Sequence, residues 1–209
     1  MSQPALVLFL AAAIAAAATA AIAGAASARL PRRVLGSRFV AVGVALASCS
    51  YAVAATGIRL NFTPSMPLGI YRVMEVSPND IRRGMLAAVC APLDASNLGR
   101  HRGYLSDGAC AGNSEPLLKT IAAVAGDVVA VSRIGVSVNG RPLADSKPLA
   151  FDRAGRPLVS WPFGHYRVPH GSIWLYAANE RSWDSRYWGP APVRDVLTKV
   201  VPVLINSYR

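Results

Sequence analysis

The sequence predicts a mainly β fold: an antiparallel β domain carried on an N-terminal two-helix transmembrane hairpin. Three observations predict it. Two long uncharged stretches open the chain, and the short connection between them holds arginines and no acid. Beyond residue 59, β-branched runs bounded by turn residues replace any helical period. Composition agrees, because of 209 residues 53% are hydrophobic and 16% charged, against roughly 25% charged in an average soluble domain. Disorder and an ordinary cytosolic enzyme are both excluded.

The anchor comes first. Residues 4–28 carry no charge over 25 positions, enough at about 1.5 Å per residue to cross a ~30 Å hydrocarbon core. A cleaved signal peptide fits poorly, since no positive residue precedes the run and the run outlasts an h-region. Residues 39–58 form a second uncharged stretch of 20. Neither stretch has a polar face, which argues against a soluble helical bundle. Between them, loop 29–38 holds Arg29, Arg32, Arg33 and Arg38, and the positive-inside rule sets it in the cytoplasm. The chain then divides into a membrane anchor, 1–58, and a domain, 59–209, on the extracytoplasmic side of the membrane. Membrane lipid is one implied partner. The net charge of +11 invites a nucleic-acid reading, but the basic residues are scattered and form no contiguous face, so no nucleic acid is expected.

Cysteine usage follows from that topology. Cys49 falls inside the second span, whereas Cys90 and Cys110 flank a polar segment, 91–109, in the outer domain. An oxidising compartment would join Cys90 to Cys110 as a structural disulfide contributing about 3 kcal/mol. A zinc site is not expected, because two isolated cysteines lack paired ligand spacing.

In the outer domain, strands are predicted at 70–76, 85–90, 117–124, 127–132, 172–177 and 196–205. Val136-Ser137-Val138 runs into Asn139-Gly140, a strong hairpin signal. Residues 141–164 hold four prolines and read as a long surface excursion.

Three strings carry candidate chemistry. In Thr63-Pro64-Ser65-Met66-Pro67, two prolines bracket a serine just beyond the second span, and such rigidity suits a nucleophile as well as it suits a plain turn. A serine nucleophile needs a base. His101, His165 and His170 sit in loop-like sequence with no orienting acid nearby and read as surface residues. Lys119 sits in Leu117-Leu118-Lys119-Thr120-Ile121, where burial would lower its pKa and free the amine to take a proton. The alternative is a strand lysine facing solvent. The third string, Asn179 to Pro190, interleaves Trp183, Tyr187 and Trp188 with Ser182, Asp184 and Arg186, the last two close enough to pair.

Together the strings resemble the type I signal peptidases (leader peptidases), most closely their conjugative-transfer, TraF-type pilin-maturation branch. Residues 63–67 look like the nucleophile box, Lys119 to Gly126-Asp127 like the lysine box, and Ser182-Trp183-Asp184-Ser185-Arg186 like the closing box. Departures from the wider family are Thr120 in place of a second basic residue, Ala125 in place of proline, and Ala177-Ala178-Asn179 in place of Gly-Asp-Asn. The resemblance implies a signal-peptidase-like β domain with Ser65 as nucleophile and Lys119 as general base. The oxyanion hole would be the Ser65 backbone N–H with the Thr63 hydroxyl. Ser182 would bond the lysine amine, and Asp184 with Arg186 would form a supporting ion pair. No cofactor or metal is implied. The implied activity is a membrane-bound serine endopeptidase that cleaves, and by acyl transfer could cyclise, a secreted or pilin precursor of a conjugative transfer system. A non-catalytic scaffold of an envelope secretion or pilus machine is the alternative. A self-cleaving repressor would share the chemistry but needs a DNA-binding segment, which the sequence lacks.

Overall fold

The computed structural model describes residues 42–48, 56–62 and 66–206. The chain divides into two units, Met1–Arg59 and Leu60–Arg209. Within the first, residues 42–48 are helical and fall inside the expected second span. Thr56 and Gly57 form a turn and Ile58 opens a strand, so the last three residues of the stretch 39–58 are not helical. The remainder of the expected hairpin, including 4–28 and the arginine loop, lies outside the described residues. Among the described residues no helix is long and apolar enough to cross a membrane.

The second unit is built on a seven-stranded sheet. Its spatial order is β1 (Ile58–Asn61), β2 (Leu68–Met74), β12 (Val196–Asn206), β3 (Leu86–Val89), β5 (Leu117–Val124), β10 (Ser172–Tyr176) and β11 (Ala191–Pro192). From β2 to β11 every neighbouring pair is antiparallel. A second sheet of four strands runs β8 (Arg141–Pro142), β7 (Gly135–Val138), β6 (Val128–Ser132) and β9 (Gly164–Arg167). The longer strands are the Val-, Ile- and Leu-rich runs, as β-branched side chains favour the pleated surface. Between β7 and β8, Asn139 and Gly140 both take positive φ, 49° and 78°, as a two-residue turn of the mirror-image type requires.

Alternation along each strand sorts side chains between two faces. One core gathers Met85, Ala87, Val89, Ile121, Ile173, Leu175 and Ala191; a second gathers Ala123, Val129, Val131, Val136, Val138, Val168 and Trp174. The segment 91–109, read from sequence only as polar and cysteine-flanked, carries helix α1 (Leu93–His101) and opens β4 (Asp107–Cys110). With Gly99, Asn97 and Asp94 in nine residues, α1 shows no continuous apolar stripe in sequence. A disulfide joins Cys90 to Cys110, with Cα atoms 5.5 Å apart, as expected. The excursion 141–164 also behaves as expected, having no strand between β8 and β9 beyond a single bridge, Phe151 to Pro157.

Asp127 links the two sheets at the turn from β5 to β6. Its carboxylate accepts the Val124 N–H at 2.9 Å and the Asn139 amide at 2.8 Å, while Asn139 accepts the Val128 N–H at 2.8 Å. Its backbone closes on β9 through the Val168 N–H, 2.8 Å from the Asp127 carbonyl. Replacing Asp127 with Ala leaves the half-buried Val124 N–H unmatched and frees the exposed Asn139 side chain, and should lower unfolding stability by about 1 kcal/mol in a denaturant titration. A change within error would show that the corner does not depend on this carboxylate.

Candidate active site

Ser65 and Thr63 lie outside the described residues. Their flanks are described, and they are closed on themselves. The Asn61 side chain donates to the carbonyls of Met66 and Pro67, at 3.2 and 3.0 Å, and the Tyr71 hydroxyl donates to Pro67 at 2.6 Å. The string that contains the candidate nucleophile is thus tied at both of its feet.

Lys119 is buried, with 2% of its surface exposed. The pleat of β5 explains this. Lys119, Ile121 and Ala123 share the inward face, two residues apart, so a lysine in phase with the core is drawn into it. The solvent-facing alternative is overturned. Lys119 pairs in register with Ala87 of β3. On the other flank Thr120 pairs with Tyr176 of β10, and Ala177 is the next residue along.

Ala177 is also where the closing string is stitched to the sheet. The Ala177 N–H donates to Asp184 Oδ2 at 3.2 Å, and its carbonyl accepts from an Arg186 terminal nitrogen at 2.9 Å. Asp184 and Arg186 form a two-pronged ion pair, with Nε to Oδ1 at 2.8 Å and a terminal nitrogen to Oδ2 at 2.9 Å. The remaining guanidinium donors reach the carbonyls of Asp145 and Glu180, at 3.0 and 3.4 Å. Asp184 also caps the short helix α2 (Ser185–Trp188) by accepting the Arg186 N–H. The pair that the sequence spacing allowed is formed, and both side chains are 1% exposed. Such a pair persists in the interior because every donor and both carboxylate oxygens are matched.

The electrostatic result falls on Lys119. Burial lowers its pKa from the usual 10.5 to about 8, with Asp184 pulling it up and Arg186 pushing it down. The two partners oppose each other, so desolvation decides the outcome. At pH 7 about one amine in ten is neutral, enough to act as a base.

Ser182 is buried, and its Oγ has no hydrogen-bond partner among the described residues. The expected bond from Ser182 to the lysine amine is therefore not made in this structure, although the hydroxyl retains its full bonding capacity. The three histidines are exposed, as expected. Two participants were not foreseen. Ser185 Oγ accepts the Leu175 N–H at 2.8 Å, and the ring of Tyr176 lies 5.7 Å below the Arg186 guanidinium. Ser185 lies within the closing string and Tyr176 just before it, but only the fold shows that the string turns back over β10. Among the described residues no group of three or more His, Cys, Asp or Glu side chains is placed to hold a metal.

Comparison with known proteins gives consistent results. Residues 32–205 match the family described as signal peptidase, peptidase S26. A probable conjugal transfer protein TraF of Sinorhizobium fredii is 39% identical over 150 residues, covering 71% of this chain and 77% of that one. A conjugal transfer protein TraF of Agrobacterium fabrum is 35% identical, covering 79% and 93%, and a plasmid transfer protein TraF of Escherichia coli is 32% identical, covering 84% and 98%. Among solved structures, a signal peptidase I of Enterococcus faecalis aligns with 57% of this chain and 95% of its own, at 16% identity and a TM-score of 0.33.

The lysine also leaves a mark on stability. Between pH 8 and 10.5 the unfolded chain holds a proton that the folded chain has released, so stability should rise with pH through that window. Below pH 8 the penalty is complete, about 3 kcal/mol for the full shift. Lys119→Met should therefore be more stable than the parent at pH 7, with the difference shrinking towards pH 10.5. Denaturation curves of both proteins across that range test it, and a pH-independent difference would refute the buried amine.

Proposed function

This chain belongs to the signal peptidase family, peptidase S26, and on that premise we propose that it is a membrane-bound serine endopeptidase in which Lys119 activates Ser65. One observation carries the reading: a lysine sealed into the sheet, brought by desolvation to a pKa of about 8, beside a charge pair that offers it little net field. A buried cation contributes nothing to packing that an apolar residue would not supply better, so its retention here points to chemistry.

In this mechanism neutral Lys119 takes the Ser65 proton and the serine oxygen attacks a carbonyl of the precursor. The Ser65 N–H and Thr63 hydroxyl stabilise the oxyanion, each donor contributing roughly 3–4 kcal/mol in comparable serine enzymes. The lysine ammonium then protonates the leaving amine, and an acyl-enzyme remains. Water releases a linear product; the amino terminus of the same chain releases a cyclic one. The names carried by the relatives favour a precursor of a conjugative transfer apparatus, such as a pilin. The two uncharged stretches and the arginine loop favour attachment to the inner membrane, with the domain in the periplasm where Cys90–Cys110 would stay oxidised. A scaffold without catalysis would not need the lysine neutral.

Ser65→Ala and Lys119→Ala should each abolish processing of a co-expressed pilin precursor while the protein remains folded and in the membrane fraction. Lys119→Arg should be equally inactive, because guanidinium stays protonated at any useful pH. Mass spectrometry of the product reads both cleavage and, from a mass one water lower, cyclisation. Unaltered processing by Ser65→Ala would leave the scaffold reading in its place.

A further inference from the structure

The string carrying Ser182 and Asp184 is fixed at two points. One is the ion pair on Ala177. The other is Trp183, which lies between those two residues in the chain and enters a cluster with Ala91, Ala95, Leu105 and Tyr187. We propose that the disulfide-closed segment between Cys90 and Cys110 is a positioning element for the catalytic site, acting through Trp183; the proposal rests on the Ser65/Lys119 reading above.

The contacts are specific. The Trp183 indole N–H donates to the Ala95 carbonyl in the first turn of α1, 3.1 Å away and buried. Its ring stacks on Tyr187 at 5.3 Å and 20°, and meets Tyr104 at 5.3 Å. α1 approaches so closely at Gly99 that a Cβ there would stand 2.8 Å from Leu105 and 3.1 Å from the indole nitrogen. The helix is in turn tied to both ends of the segment by buried hydroxyls. Ser96 donates to the Ala91 carbonyl at 3.0 Å, and Ser114 donates to Ser96 at 3.1 Å. Ala91 adjoins Cys90, and Ser114 follows Cys110 by four residues.

Ser182 shows why this support matters. With no partner for its Oγ among the described residues, its place is set by its backbone N–H, 3.0 Å from the Asn179 carbonyl, and by the packing of its neighbour Trp183. If Trp183 loosens, the string that carries Asp184 and Arg186, the two charged groups acting on Lys119, loosens with it, and water gains access to the buried amine. The charged groups acting on that amine are Asp184 and Arg186. The flanking strands β3 and β10 bring no charged residue, Tyr176 being their one titratable group. Loss of desolvation would therefore move Lys119 towards its ordinary range and reduce the neutral fraction.

The chain has three lysines, Lys119, Lys147 and Lys199, so ¹³Cε-lysine NMR of the full-length protein in detergent resolves them, with Lys119→Met giving the assignment. Trp183→Phe removes the indole donor and keeps a ring. The Lys119 midpoint should then rise by about half to one pH unit, and cleavage of the co-expressed precursor at pH 7 should fall about 3- to 10-fold. Val131→Ala, in the core of the second sheet, serves as the stability control: it should lower the melting temperature and leave the midpoint in place. If Trp183→Phe behaves like this control, Trp183 is only a packing residue and the proposal is overturned. Should Trp183→Phe not fold, Gly99→Ala and Cys90→Ser with Cys110→Ser replace it, a raised midpoint supporting the proposal and an unmoved one overturning it. Ser65→Ala, with Trp183 intact, separates the two readings. If Ser65→Ala still processes the precursor, the peptidase reading fails whatever the Trp183 variants do to the lysine.

Discussion

The burial of a single ammonium group constrains much of this domain. Removing Lys119 from water is costly, and the surroundings do not repay that cost with a counter-ion devoted to it. Asp184 is already bound twice over by Arg186. The lysine therefore experiences a nearly neutral pair in a medium of low polarity, which is the condition under which an amine gives up its proton most readily. An acid left alone at the position of Asp184 would have trapped the proton on the lysine. An arginine left alone would have repelled it, at the expense of an unmatched charge in the interior.

That electrostatic arrangement explains why the closing string is so densely bonded. Asp184 caps α2, pairs with Arg186 and receives the Ala177 N–H, while Arg186 spreads its donors over the carbonyls of Asp145, Ala177 and Glu180. Each of these bonds satisfies a group that would otherwise be stranded, and each also fixes the string relative to β10 and hence to β5. Stability of the fold and polarity of the site are the same set of contacts.

Much of this could be read from the sequence. The longer strands were legible because valine, isoleucine and leucine alternate there between turn residues, and Asn139-Gly140 marked its hairpin directly. The short strands β4, β8, β9 and β11 were not, because two to four residues carry no period of their own; β8, β9 and β11 exist by pairing with longer neighbours, and β4 by bridges to Ser114. α1 escaped for a related reason: it buries two small residues and a glycine rather than an apolar stripe. The residue types of the closing string were legible, whereas their burial was not. Nothing local to Asp184 and Arg186 says that β10 passes beneath them. Lys119 lay between these cases, since its phase with Ile121 and Ala123 was visible but the direction of the inward face was not.

The order of the large sheet also governs how the domain comes into being. β2 and β3 are near neighbours in sequence, yet β12 lies between them and pairs with both. The ribosome makes β12 long after either, so β3, and through it the strand bearing Lys119, has an open edge until very late in synthesis. Non-local closure of this kind is slow, and it leaves the centre of the large sheet as the last part to be completed. Until β12 arrives, β2 and β3 each present an unpaired edge, and its insertion joins the two halves of the sheet in one step.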